Sequence, residues 1–396
     1  MTSLSTSGTR WAGYTESPSD SLTRKSDSGT LWSGGMTVRS LESVSSFERR
    51  LGSACTALRI GDGSLLAGSQ EGALACWSAD SGDELWKVGV DGPIGDLVLE
   101  GDRVYAAASS DLHVFDVGSG EVVWSRSLEG ASDYVRVREG AVWASSSVYE
   151  IEISDYIEST VWMFDSSGSL QQRWTFPERA WHLGLHDDGG VLLGLGRPRC
   201  GYLRIHGGEK AEHHDLSRGS PVTVGVCGPE GRFLLGHSDG SVSVLSESEE
   251  ESSEVRSTQV RAICSSEMDW FSGHHSGEVV SSLGWVSSAP GAVQSVEPGP
   301  GVSSGTGIWS SRWDGDGSRV AVLETADGST ALELEHAHRI GHIRSVDGIV
   351  ALGDSEGRIH LIEQGVLSRR LGTDEDSDDD ERRGRLMARL RQLRET

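Results

Sequence analysis

Three stretches of the chain repeat one design. They are Cys76–Trp86, Val114–Trp124 and Met163–Gly168, the last followed by Trp174. In each, an apolar strand runs into a polar Ser-Gly turn, and a second strand carries a tryptophan. In the first two the Trp stands four residues after the Gly, as Gly82 to Trp86 and Gly120 to Trp124. A unit of this kind cannot bury its own apolar faces. Stacked radially against copies of itself it can, which is the logic of a β-propeller.

A second recurrent feature is a tight hairpin entered from a Gly- or Ser-rich strand end. It occurs at Gly68–Leu74, Gly236–Val242, Gly273–Val279 and Gly353–Ile359. Its Glu-Gly and Asp-Gly pairs suit turns that need a positive φ. Central strands are then expected to start near Ala73, Asp111, Thr160, Gly201, Ser241, Glu278, Thr330 and Arg358. The mean step of roughly 40 residues is the period of a four-stranded blade. The interval before Thr330 is long and the one after it short, so one blade is poorly delimited there. The expected fold is all-β: a single closed propeller of seven or eight four-stranded blades, with eight candidates between about Ala54 and Leu371. Trp32, Met36 and Val38 suggest that the chain joins the propeller around residue 30.

At these residues the chain resembles the repeats of pyrroloquinoline-quinone (PQQ)-like β-propellers, whose blades carry an apolar-Asp-x-x-Ser/Thr-Gly-x-x-x-Trp pattern. Phe115, Asp116, Ser119, Gly120 and Trp124 match it in full. The first unit, with Gly82 and Trp86, has Ser78 in place of the Asp. The third, with Asp165 and Gly168, lacks one residue before its Gly and delays its Trp to Trp174. Later stretches resemble WD40-type repeats without the Trp-Asp pair. The resemblance implies an N-terminal segment that supplies a strand to the last blade and closes the ring, and a structural role for these residues. The Asp caps the turn, the Gly takes a conformation other residues resist, and the Trp fills the wedge between blades. Quinone dehydrogenases of this kind set a pair of adjacent cysteines against the quinone, and this chain has none. No quinone site and no other cofactor is therefore carried over.

Composition sets further bounds. The formal charge is −25, and only three lysines occur, Lys25, Lys87 and Lys210. An acidic, lysine-poor surface suits multimolar salt, where the Debye length is about 3 Å or less and self-repulsion is screened. This points to a halophilic, haloarchaeal-type protein; the alternative is an ordinary acidic protein of a GC-rich genome. Either way, the globular part is a poor candidate for gripping nucleic acid through phosphates. Five separated cysteines with no C-x-x-C pair, no apolar leader in the first 28 residues and no membrane-length apolar run lead to an expectation of a reducing cytoplasm.

The expected domains are a disordered Ser/Thr-rich tail over 1–30, the propeller over 31–371, an acidic linker over 372–381 and a basic amphipathic helix over 382–396. In that helix Leu386, Met387, Leu390 and Leu393 share one face, with Arg389 among the arginines that form the rest. These residues are the expected contact for a protein partner or for self-association.

Catalytic signals are absent: the Gly-x-Ser-x-Gly matches at Gly236–Gly240 and Gly353–Gly357 belong to the recurrent hairpins and make no strand-to-helix elbow, and there is no P-loop, HExxH or dinucleotide fingerprint following a strand. No metal site is assigned. Among thirteen histidines, His336, His338 and His342 cluster near a turn and are the best metal candidates, while His182 and His186 stand about 13 Å apart in an extended strand. The leading reading is a non-enzymatic propeller that serves as a cytoplasmic protein-interaction scaffold. The alternatives are an enzyme or small-molecule binder using the central channel, and a nucleic-acid-associated protein acting through its basic tail. A ring of ionisable residues converging on the channel would favour the first alternative.

Overall fold

The computed structural model describes residues 39–372, except 209, 247, 248, 268, 303 and 304. Within that span the chain is an eight-bladed β-propeller. Blades 1 to 7 occupy 55–89, 94–127, 131–176, 180–214, 222–252, 260–288 and 292–336. Each is a run of four antiparallel strands in chain order. Blade 8 takes three strands from 340–363, and its outermost strand is Phe47–Arg50 from the start of the described chain. The ring therefore closes by an N-terminal strand, as the resemblance implied. A further short strand, Arg39–Ser40, adds in parallel to the outer edge of blade 7.

Gly201 and Ser241 lie one residue before the third strand of their blades, and five of the other six expected central-strand positions fall on it. Thr330 does not: it opens the fourth strand of blade 7, Thr330–His336, and the third strand is Ser318–Glu324. The third strand opens 40 residues after Glu278 and 40 before Arg358, so blade 7 keeps the period and the expectation overshot it by one strand. In blade 3 the third strand begins at Asp155, ahead of the expected Thr160, because its hairpin with Ala141–Glu150 is ten residues a side.

One regularity was hidden in the sequence. In every blade the innermost strand skips one residue near its start: Thr56, Gly95, Asp133, Trp181, Thr223, Arg261, Gln294 and Gly341. This bulge resets the alternation of the strand. The second residue after it turns into the blade and is apolar or glycine: Leu58, Leu97, Val135, Leu183, Gly225, Ile263, Val296 and Ile343. Of the first and third residues after it, Arg59, Arg136, His182, Glu297, His342 and Arg344 line the central cavity, whereas Ala57 and Val98 pack into the apolar clusters.

A helix over 364–372 follows blade 8. Leu367 is fully buried among Leu41, Val44, Trp309 and Ile362, and Arg370 donates to the carbonyls of Ser43 and Ser45 at 3.1 and 2.6 Å. The two ends of the described chain are thus clasped over blades 7 and 8. Gly365 and the shortness of this helix left no period to read. The tail over 1–30, the linker beyond Gly372 and the helix over 382–396, with Leu386, Met387, Arg389, Leu390 and Leu393, lie outside the described residues.

Candidate functional site

The repeat residues form joints between blades. Gly120 takes φ +71°, and a Cβ there would stand 2.7 Å from the indole of Trp86 in the preceding blade. Trp86 donates its Nε1–H to the Val117 carbonyl at 2.7 Å. Trp124 lies in the same way over Gly168, donating to Ser166 O at 3.0 Å. Phe47, on the closing strand, takes the place of the Trp over Gly82. Asp116 caps its turn: Oδ1 accepts from the N–H of Gly118 and Ser119 and from the Ser119 hydroxyl, and these bonds hold its pKa below the ordinary value. Asp165 does the same with Ser167 and Ser169. Trp174 is buried and stacks on Trp143 at 5.5 Å. Sequence reading missed a further joint, Trp285 over Gly328 with Nε1 donating to Thr325 O at 2.8 Å. Its signal was the turn Glu324–Gly328, which has the spacing of Asp116–Gly120.

The histidines suspected as ligands mostly brace the ring. His237 and His274 are buried, each with one ring nitrogen on a backbone carbonyl of the preceding loop and the other on a serine hydroxyl. His336 is gripped by Asp354 and Glu42, at 2.9 and 2.8 Å. It meets His338 edge-on at 5.5 Å but does not join His342, which turns into the central channel. His182 also faces the channel, while His186 stacks on Phe233 at 5.8 Å and pairs with Asp188.

The channel holds a cavity of about 490 Å³. Blades 7, 8, 1, 2 and 3 give it a charged wall of Glu297, Arg344, Arg59, Asp96 and Arg136. Asp96 is shared between Arg136 and Arg59, the latter at 3.6 Å. Burial alone would raise the Asp96 carboxyl, but the two guanidinium groups outweigh it and hold it low. Burial raises Glu297, which Arg344 at 3.8 Å only partly offsets. The opposite wall, from blades 4 to 6, carries His182, Val224, Val226, Ala262 and Cys264. Burial pushes His182 down to about 3, so this imidazole is neutral, and its Nε2 has no partner. With Arg261 on the opposite wall, four guanidinium groups thus face two carboxylates, a local positive surplus inside a strongly acidic chain. Of the five cysteines, all free, only Cys227 is exposed, and it lines this cavity.

A second feature is the long hairpin of blade 3. The middle strands of the other blades run four to eight residues, against ten here. Its tip carries Tyr149, Ile151, Ile153 and Ile157 in the open, with Ile151 72% and Ile153 62% exposed. Glu150, Glu152, Asp155 and Glu158 alternate with them, and residues 147–160 contain no Lys or Arg. The base is fixed. The Arg179 guanidinium lies 3.8 Å from the Tyr156 ring centre and 4.3 Å from that of Trp181, and it pairs with Asp133 at 3.1 Å. Alternation in the sequence reads as a half-buried strand, yet here nothing within the described residues covers the apolar side.

Comparisons with known proteins agree with this architecture. Residues 24–174 match a family model described as outer membrane protein assembly factor BamB, a PQQ-repeat model. No curated protein matches the chain. Among solved structures, the computationally designed Ika8 protein superposes with a TM-score of 0.64 at 17% identity, covering 79% of this chain and 97% of that one. Saccharomyces cerevisiae Sqt1 gives 0.64 at 12% identity, covering 80% and 97%. At these identities the likeness is one of fold. Among the described residues no helix is long and apolar enough to cross a membrane.

Proposed function

We propose that this eight-bladed β-propeller, with PQQ-like repeats in its first three blades, is a non-catalytic interaction scaffold whose main contact is the blade 3 hairpin. The observation that supports this is the exposure of Ile151 and Ile153 on a hairpin whose base is held rigid by Arg179. Isolated exposed apolar residues are ordinary, but four on one projecting tip form a patch. A rigid anchor also loses little conformational entropy on binding. The acidic residues between the isoleucines suit a partner with an apolar groove and a basic rim. The basic segment 382–396 is a second contact, through Leu386, Met387, Leu390 and Leu393. The setting we propose is the cytoplasm, in keeping with five free cysteines of which four are buried.

The test compares Ile151→Ser/Ile153→Ser and Leu390→Asp with the wild type in pull-downs from native high-salt lysate, alongside fractionation of the cells. Both variants should unfold at the wild-type temperature. The hairpin variant should lose a partner that the wild type retains. If it keeps every interaction, the scaffold reading through this hairpin fails.

A second reading has its own support. The guanidinium groups of Arg59, Arg136 and Arg344, the neutral His182 and the cavity they share suit a small anion such as a phosphate or carboxylate. Calorimetry with inorganic phosphate and citrate, on the wild type and Arg344→Gln, decides it: saturable binding that weakens in the variant supports a channel ligand, and its absence removes this reading.

A further inference from the structure

We propose that Glu42, His336 and His360 form a site for a divalent transition-metal ion of the zinc class, placed where the N-terminal segment closes the ring. One ligand atom from each residue lies within 4.8 Å of the other two. Small rotamer changes bring such a set onto one ion at bond lengths of about 2.0–2.2 Å. The three residues come from separate parts of the chain. Glu42 is in the short helix Leu41–Val44, His336 ends blade 7, and His360 is in the third strand of blade 8.

His360 supplies the strongest argument. The Ser45 hydroxyl donates its one hydrogen to Leu41 O at 2.8 Å. Towards His360 Nδ1, 3.3 Å away, it can therefore only accept. That places the imidazole proton on Nδ1 and leaves a lone pair on Nε2. Nε2 is buried and has no hydrogen-bond partner, in a ring with no exposed surface. A neutral imidazole with one nitrogen oriented by a hydroxyl and the other free is the form that ligates metals.

His336 is backed by a carboxylate. Its Nε2 lies 2.9 Å from Asp354 Oδ2, and Asp354 Oδ1 accepts from the backbone N–H of Glu356 and Arg358 at 2.8 Å each. A carboxylate behind a histidine in this way orients the ring and strengthens it as a ligand. Nδ1 points to Glu42 Oε1 at 2.8 Å. The ion takes the place of the proton on Nδ1, which leaves to solvent, and Glu42 turns from hydrogen-bond acceptor to ligand. The Glu42 side chain is 41% exposed, so an ion can enter past it and water can complete the coordination. A purely hydrogen-bonded clamp accounts for His336 but not for the orphaned Nε2 of His360. The ion ties the N-terminal helix to blades 7 and 8.

The experiment uses the full chain, stripped with a chelator, desalted, and titrated with zinc alone by calorimetry; cobalt(II) reports coordination through its visible absorption. One equivalent should bind, release a proton, and raise the unfolding temperature with zinc concentration. Glu42→Gln should lower the affinity at least tenfold. Asp354→Asn should lower it by about 10–100-fold, and His338→Ala should leave it unchanged. His360→Gln removes a buried ring and can perturb folding, so Glu42→Gln, at a half-exposed position and checked by circular dichroism, carries the decision. No saturable zinc binding by the wild type, or an unchanged affinity in Glu42→Gln, overturns the site and leaves a hydrogen-bonded clamp.

Discussion

Seven of the eight joints between neighbouring blades are locked in one of two ways. At the joints from blade 8 to 1, 1 to 2, 2 to 3 and 6 to 7, an aromatic ring of one blade covers a positive-φ glycine of the next: Phe47 on Gly82, Trp86 on Gly120, Trp124 on Gly168 and Trp285 on Gly328. At the joints from 4 to 5, 5 to 6 and 7 to 8 a buried histidine is the tie: His237 and His274 hold the loop from the preceding blade, at Ser220 O and Thr258 O, and His336 reaches Asp354 of the next blade. The aromatic lock rests on apolar area and shape, with one indole hydrogen bond to fix its register. The histidine lock rests on polar partners in a dry setting. The first should be indifferent to pH and sensitive to volume, and the second the reverse.

The largest effect should come from emptying an aromatic lock. Trp86→Ala removes a buried ring and should cost about 3–5 kcal/mol in urea unfolding. A loss below about 1 kcal/mol would mean that the ring is held by the strand ladders alone. A pair of glycines sharpens the cause. Gly63 and Gly120 share φ +71°, but a Cβ at Gly63 meets nothing within 4 Å, whereas one at Gly120 meets Trp86. Gly63→Ala should show only the backbone strain, about 1 kcal/mol or somewhat more. Gly120→Ala should cost more by the repacking of the indole, about 1–3 kcal/mol extra. Equal losses would break the claim that Trp86 needs this glycine.

The histidine lock is tested by pH. Burial alone would lower the pKa of His336, but its bonds to Asp354 and Glu42 outweigh that and raise it. A raised histidine contributes stability fully below its unfolded value of about 6.5, and the contribution is lost as pH rises through the higher folded value. For Asp354, burial is outweighed by the bonds from His336 and from two backbone N–H groups, so its carboxyl is held low. Its contribution is present above the unfolded value of about 3.9 and is lost as pH falls through the folded one. Wild-type unfolding midpoints should therefore fall from pH 6 to pH 9 by more than those of His336→Gln. Each unit of raised pKa corresponds to about 1.4 kcal/mol. Parallel profiles would show that His336 carries no net charge in the fold.

Salt gives the smallest and broadest effect. The charge of −25 predicts an unfolding temperature that climbs with KCl, because screening relieves self-repulsion. The climb should be the same in Trp86→Ala and in the wild type, since the aromatic lock is uncharged. A flat midpoint from low to multimolar salt would remove the halophilic reading.

Much of the fold is legible in the amino-acid sequence alone. The Phe115–Trp124 pattern gives a blade because its residues act locally: Asp116 caps its own turn, Gly120 supplies a φ that other residues resist, and the strand alternation needs only near neighbours. Repetition of that unit determined the propeller, while the terminal strand that closes it was implied by the resemblance to PQQ-like propellers. What the sequence could not determine lies between blades distant in the chain. Arg59 and Arg136 share Asp96 only because the bulged inner strands turn them into one channel. Glu42 reaches His336 across 294 positions only because the ring closes. Ile151 and Ile153 lie on a strand pattern that would be buried in most blades and is exposed in this one because the hairpin outruns its neighbours. Local rules repeat and can be read along the chain; convergence on a channel or a seam is set by the closure of the ring, which no single stretch encodes.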